Sequence, residues 1–130
     1  MDDELLSGKR VLVIEDEMLV SMAIEDMLGD LGCTSITVAG NVETALNLIA
    51  ANIFDFATLD VNLNGTRSYA IAEALKNRHI PFAFATGYGE HGVEEGYGDR
   101  PVLDKPFSQF QFKKVVSGLL ADGVPPALAA

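Results

Sequence analysis

Val11-Leu12-Val13-Ile14 runs straight into Glu15-Asp16-Glu17, and beyond these acids the hydrophobic period changes. The first four residues form a continuous apolar run rich in β-branched side chains, the pattern of a strand buried on both faces. Leu19, Ala23, Met27 and Leu31 then recur every fourth residue, with Val20, Ile24 and Leu28 one step round the same surface. That spacing is an amphipathic helix, and Gly32 is its stop.

The same alternation continues along the chain. Ser35 to Ala39 reads as a second strand, and Asn41 caps a second helix with Val42, Ala45, Leu46 and Ile49 on its apolar stripe. Phe54 to Leu59 is a third strand ending at Asp60, and Asn64-Gly65 is a turn signal. A third helix spans roughly Ser68 to Asn77, Pro81 to Ala85 is a fourth strand, and Pro101 to Leu103 a short fifth. Ser108 and Gln111 make a capping box for a last helix, whose apolar face is Phe112, Val115, Val116, Leu119 and Leu120. Strand and helix alternating in this way predict an α/β domain: a flavodoxin-like five-stranded parallel sheet in the order 2-1-3-4-5, with helices on both faces. Residues 87–99 hold five of the twelve glycines and little apolar stripe, so a fourth helix there is expected to be short or mobile. The boundaries are an N-terminal extension over 1–8, one domain over 9–122 and a tail over 123–130.

The chain has 130 residues and a net charge of −10, from 19 acidic and 9 basic residues. That balance argues against a nucleic-acid surface, which needs a basic stripe, and disfavours an anionic membrane. Cys33 is the single cysteine, so neither an intrachain disulfide nor a thiolate zinc site is available. The opening Met-Asp-Asp-Glu is not a signal peptide and no apolar run reaches membrane-spanning length, so a cytoplasmic location is expected.

Ligands of open parallel sheets bind outside the carboxyl ends of the strands. Those ends carry Glu15-Asp16-Glu17, Asp60, Thr86-Gly87 and Asp104-Lys105-Pro106. With strands one and three adjacent, Asp16 and Asp60 converge. Two carboxylates about 4 Å apart repel by roughly 4 kcal/mol at an effective dielectric of 20. Lys105 offsets part of this, and a hard divalent cation with oxygen ligands offsets more. Mg²⁺ suits the site because no Cys or His stands at these ends. A carboxylate in such surroundings can attack phosphorus and form an acyl phosphate. Charge on the transferred oxygens calls for Mg²⁺, the Lys105 ammonium and the Thr86 hydroxyl. Asn62 can offer the metal a main-chain carbonyl. Structural roles compete with these readings: Asp16 can cap the first helix, Thr86 can be a strand-end hydroxyl and Lys105 a surface charge. His79 and His91 lie too far from the acids to act as ligands, and the phenylalanines at 54, 56, 82 and 84 belong to the core.

Taken in order, Glu15-Asp16, Asp60, Thr86 and Lys105-Pro106 resemble the response-regulator receiver (CheY-like) family over about Arg10 to Leu120. The resemblance implies that Asp60 is the phospho-acceptor. It implies that Asp16, Asp60 and the Asn62 carbonyl ligate Mg²⁺ with Glu15 acting through water, that Thr86 and Lys105 contact the phosphoryl group, and that Lys105-Pro106 is cis. Pro81-Phe82-Ala83-Phe84-Ala85-Thr86-Gly87-Tyr88 further resembles the PFxFATGY motif of the FAT GUY single-domain regulators. That subgroup implies a sensor histidine kinase of HWE or related type, or a phosphotransfer protein, as donor, and monomers or weak homodimers. Three features depart from the family pattern: Val102 replaces the strand-five aromatic, the loop after Asp60 has no proline, and the Asp60–Lys105 interval is short.

The leading expectation is therefore a phosphorylation switch, not a turnover enzyme, with no attached DNA-binding output. It signals by binding another protein or by acting as a phosphate sink. One alternative is a receiver-like adaptor that binds partners without phosphorylation. A haloacid-dehalogenase-type phosphatase fits less well, because that chemistry places Asp-x-Asp after the first strand, whereas Asp60-Val61-Asn62 follows the third.

Overall fold

The computed structural model describes residues 4–63, 65–86 and 100–122. Its elements are β1 (Arg10–Ile14), α1 (Met18–Asp30), β2 (Ser35–Ala39), α2 (Val42–Ala51), β3 (Phe56–Asp60), β4 (Asn62–Leu63), β5 (Thr66–Arg67), α3 (Tyr69–Asn77), β6 (Phe82–Thr86), β7 (Val102–Asp104) and α4 (Gln109–Asp122). Five strands pair in parallel in the order β2-β1-β3-β6-β7, and β4-β5 is a separate antiparallel hairpin. The expected 2-1-3-4-5 order is thus observed for the main sheet. The expected short or mobile fourth helix falls on residues outside those described, as do Asn64, Gly87, Tyr88, His91 and the tail over 123–130.

Because β1, β3 and β6 are central, their side chains other than Arg10 are buried on both faces, which is why apolar residues dominate them. On one face Leu12, Ile14, Leu59, Phe82 and Phe84 pack with Ala45 and Ile49 of α2 and Ile71 and Leu75 of α3. On the other, Val11, Val13, Phe56, Ala83 and Ala85 pack with Ile24 and Leu28 of α1 and Phe112, Val116 and Leu119 of α4. Leu6 is buried in that second layer, and its N–H donates to the Leu31 carbonyl at 2.8 Å. Part of the stretch read as an N-terminal extension is therefore packed into the domain.

The helix ends follow their local chemistry. Asn41 Oδ1 accepts from the Thr44 N–H at 2.8 Å, and Ser108 and Gln111 satisfy each other's N–H groups at 3.1 and 2.8 Å. α1 closes in a Schellman motif: Gly32, at φ 88°, donates to the Gly29 carbonyl and Cys33 to that of Leu28. The N-cap of α1 is Glu17, without a side-chain cap bond, so Asp16 stands one residue before the cap position. The buried stripe of α1 is also turned from the one expected. Ser21, Ile24 and Leu28 face the sheet, whereas Leu19 is 82% exposed. β3 begins at Phe56, two residues later than expected, because Asp55 instead caps the sheet edge, its carboxylate accepting from the Arg10 N–H at 2.8 Å.

Among the described residues, one buried side-chain polar atom has no hydrogen-bond partner, the Thr58 hydroxyl on β3. Its neighbours in register are Val13 and Ala83, both apolar. A buried unpaired hydroxyl costs about 1–3 kcal/mol. Thr58→Val keeps the shape and removes that group. It is expected to raise the melting temperature by about 4 °C, read by thermal denaturation; a lower melting temperature would show that the hydroxyl has a partner in solution, such as an internal water.

Candidate functional site

The parallel register sets the carboxyl ends of β1, β3, β6 and β7 on one edge. Ile14 is level with Leu59, Asp60 with Ala85, and Thr86 with Asp104. Each chemistry-bearing residue stands at, or one or two steps beyond, one of these ends. Glu15, Asp16 and Asp60 each present a carboxylate oxygen within 4.8 Å of the others. Glu15 and Asp60 are buried, and Asp16 is half-buried. Lys105 follows β7, and its Nζ lies 2.8 Å from Glu15 Oε2 and 3.5 Å from Asp60 Oδ2. The Lys105–Pro106 peptide is cis.

Three ionised carboxylates beside one ammonium leave a formal charge of −2 in a partly buried pocket. The strain falls on Glu15. Burial, reinforced by Asp60, pushes its pKa up to about 7, although the Lys105 hydrogen bond pulls the other way. Burial works against the Lys105 ammonium, but Glu15 and Asp60 outweigh it and leave its pKa raised. A cluster of oxygen donors with net negative charge, and no nitrogen or sulfur ligand among the described residues, fits a hard divalent cation such as Mg²⁺.

Asn62 is presented by the β4-β5 hairpin. Ser68 N–H donates to the Val61 carbonyl at 2.9 Å, and Asn62 is level with Arg67 in the next, alternate pair. In an antiparallel ladder the pair between two bonded pairs turns its N–H and C=O outward. The Asn62 N–H accordingly reaches Asp60 Oδ1 at 3.2 Å, and in an extended residue the carbonyl points to the same side as the N–H. This hairpin has no counterpart in the sequence reading, which took the region as a turn. Thr86 ends β6 one residue past the Asp60–Ala85 register; it is buried, and its carbonyl accepts from the Lys105 N–H at 2.9 Å.

Glu15, Asp16, Asp60 and Lys105 are thus in mutual contact range, Asn62 touches Asp60, and Thr86 is joined to Lys105 along the same edge. Glu17 is exposed, and its N–H donates to Glu15 Oε1 at 3.3 Å. His79 sits at φ 58° between α3 and the start of β6, at the opposite end of the strands from the acids. Cys33 is buried with its thiol on the Lys9 and Ser35 carbonyls, and burial raises its pKa, which suits a structural side chain. Sequence reading missed Ser68, which is buried beneath the loop; the absence of proline from that loop was the available hint that another constraint must hold it.

Comparison with known proteins agrees with this geometry. A family model described as the response regulator receiver domain matches residues 11–117. The chain is 31% identical over 111 residues to the sensory transduction protein LytT of Bacillus subtilis, covering 82% of this chain and 46% of LytT. It spans about half the length of the curated relatives it first matches. The solution structure of SdrG from Sphingomonas melonis Fr1 is similar at 42% identity and a TM-score of 0.79, covering 86% of this chain and 96% of SdrG. The response regulator PhyR from Brucella abortus is similar at 27% identity and a TM-score of 0.77, covering 92% of this chain and 51% of PhyR.

Proposed function

The chain belongs to the response regulator receiver domain family of two-component signalling, and from that premise we propose that it is a switch driven by phosphorylation of Asp60. The observation that carries the reading is the meeting of Glu15, Asp16 and Asp60 within 4.8 Å, with Lys105 on two of them. An Asp60 carboxylate oxygen attacks phosphorus, forming an acyl phosphate as the donor's bond to phosphorus breaks. Mg²⁺, held by Asp16, Asp60 and the Asn62 carbonyl with Glu15 acting through water, would supply positive charge to the oxygens of the transferred group. The Lys105 ammonium and the Thr86 hydroxyl hold the other oxygens. Water later cleaves the acyl phosphate to the Asp60 carboxylate and inorganic phosphate, so the group that the protein accepts and loses is carried on its own side chain.

The donor is a sensor histidine kinase, of HWE or related type, or a phosphotransfer protein, and the chain is a FAT GUY regulator acting in the cytoplasm. Support for the subgroup comes from its Phe-Ala-Thr-Gly-Tyr run; the similarity to SdrG, for which a BeF3-activated conformation is also known, at 41% identity and a TM-score of 0.76, supports the phosphorylation switch. No described helix is long and apolar enough to cross a membrane. Output proceeds through binding another protein or by draining phosphoryl groups from the kinase. Val102, where receivers usually place an aromatic, favours a second reading as an adaptor that needs no phosphate.

Intact-mass spectrometry after incubation with Mg²⁺ and acetyl phosphate tests the proposal. A gain of one phosphoryl group is expected. No gain from acetyl phosphate or from a histidine kinase, with Mg²⁺ bound, would leave the adaptor reading in its place.

The donor's docking surface is the exposed apolar side of α1. Met18, Leu19 and Met22 are 74%, 82% and 50% exposed on one side of α1, beside the acids. Apolar groups clustered in this way mark contact surfaces. Leu19→Glu is expected to slow transfer from a kinase by about tenfold or more while labelling by acetyl phosphate stays within about twofold. Equal slowing with both donors would place the effect at the phosphorylation site.

A further inference from the structure

Ser68 occupies the N-cap position of α3, yet its side chain caps no helix N–H. The fully buried hydroxyl points the other way and donates to the carbonyls of Asp60, at 2.5 Å, and Val61, at 3.2 Å. Its N–H also donates to the Val61 carbonyl, and its own carbonyl accepts from Ile71 and Ala72. One residue therefore ties the start of α3 to two consecutive carbonyls of the segment carrying Asp60. The link matters because Asp60 is the last residue of β3 and Asn62 lies two residues beyond it, in a strand of only two residues. Asp60 is anchored by its β6 register, and Asn62 by the two-residue strand β4. A proline in the loop would restrict φ there; this loop has none.

We propose that Ser68 is a positioning residue for metal binding: its hydroxyl holds the Asp60 and Val61 carbonyls so that the next one, of Asn62, stays turned to the acidic edge. The proposal rests on the Mg²⁺-assisted reading above. Ser68 touches neither the metal nor the phosphoryl group. It acts through the backbone by fixing the plane of the peptides on either side of Val61, as outer hydrogen-bond partners orient the ligands of metal sites.

The test is isothermal titration of the full chain with MgCl₂, well below the melting temperature, for the parent and three variants. Ser68→Ala removes the donor and is expected to weaken Mg²⁺ binding by about tenfold. Ser68→Cys is close in shape with a weak donor and is expected to lose at least about threefold. Ser68→Thr keeps the hydroxyl and is expected to stay within about twofold of the parent. Amide hydrogen exchange at Asn62, measured without metal, is expected to quicken in the Ala variant and not in the Thr variant. Loss of folding alone would leave the affinity of the folded molecules unchanged, so parent-like Mg²⁺ affinity in the Ala and Cys variants overturns the proposal. Should the Ala variant not fold, the Cys variant decides in the same way. A parent that binds no Mg²⁺ overturns both this inference and the metal site beneath it.

Discussion

Asp60→Asn is expected to remove phosphoryl labelling, with the rate falling by more than about a hundredfold, while the domain stays folded. An amide of the same shape lacks the anionic oxygen that attacks phosphorus. It keeps Oδ1, so the bond from the Asn62 N–H at 3.2 Å can persist. The substitution also removes one of three carboxylates that meet within 4.8 Å, so the metal-free variant should melt no lower than the parent. The two readouts separate chemistry from folding. Labelled Asp60→Asn would mean that another side chain accepts the phosphoryl group, and a collapsed melting temperature would mean that Asp60 is chiefly structural.

Stability without metal is expected to fall between about pH 5 and 7.5, and Mg²⁺ should cancel the fall. Glu15 drives this, because its folded pKa of about 7 lies above the 4.5 of a free glutamate. A raised carboxyl pKa contributes stability that is complete below about pH 4.5 and is lost as pH rises through about 7, since over that window the folded state keeps a proton the unfolded chain releases. Lys105 is also raised, from 10.5, so its contribution is lost only in the alkaline range and does not offset the slope. The ceiling is about 3 kcal/mol. Sharing of charge with Lys105 and Asp60 makes 1–2 kcal/mol a realistic size, roughly 4–8 °C in melting temperature. Saturating Mg²⁺ replaces that proton's compensation, and at about a hundredfold excess over Kd it adds about 2.7 kcal/mol. Glu15→Gln should flatten the metal-free profile. A parent profile identical to that of Glu15→Gln across the window would remove Glu15 as the cause.

The strand-helix alternation, the sheet order and the residues at the active edge were legible in the sequence because each rests on local pattern. Val11 to Ile14 reads as a strand from its own side chains, and once β1 and β3 are neighbours Asp16 and Asp60 must meet. The caps at Asn41 and Ser108 are likewise decided within four residues. Other features depend on partners far away in the chain. α1 is apolar almost all round, so periodicity alone could not choose between its Leu19 and Ile24 stripes; packing on Val11, Val13 and Phe112 chose Ile24 and left Leu19 outside. Leu6 reads as terminal chain until Leu31 is brought beside it. Ser68 reads as an ordinary helix start, and only the folded loop aims its hydroxyl back at Asp60 and Val61. Lys105 reads as a counter-ion to the acids as a group, and the fold brings it closer to Glu15 than to Asp60, by 2.8 against 3.5 Å. The sequence by itself determined the elements and the chemical groups at the active edge, since hydrophobic period and capping are properties of neighbouring residues. The tertiary structure decided which faces are buried, which charges pair and which hydroxyl holds the loop, since those depend on groups up to 90 residues apart competing for the same space.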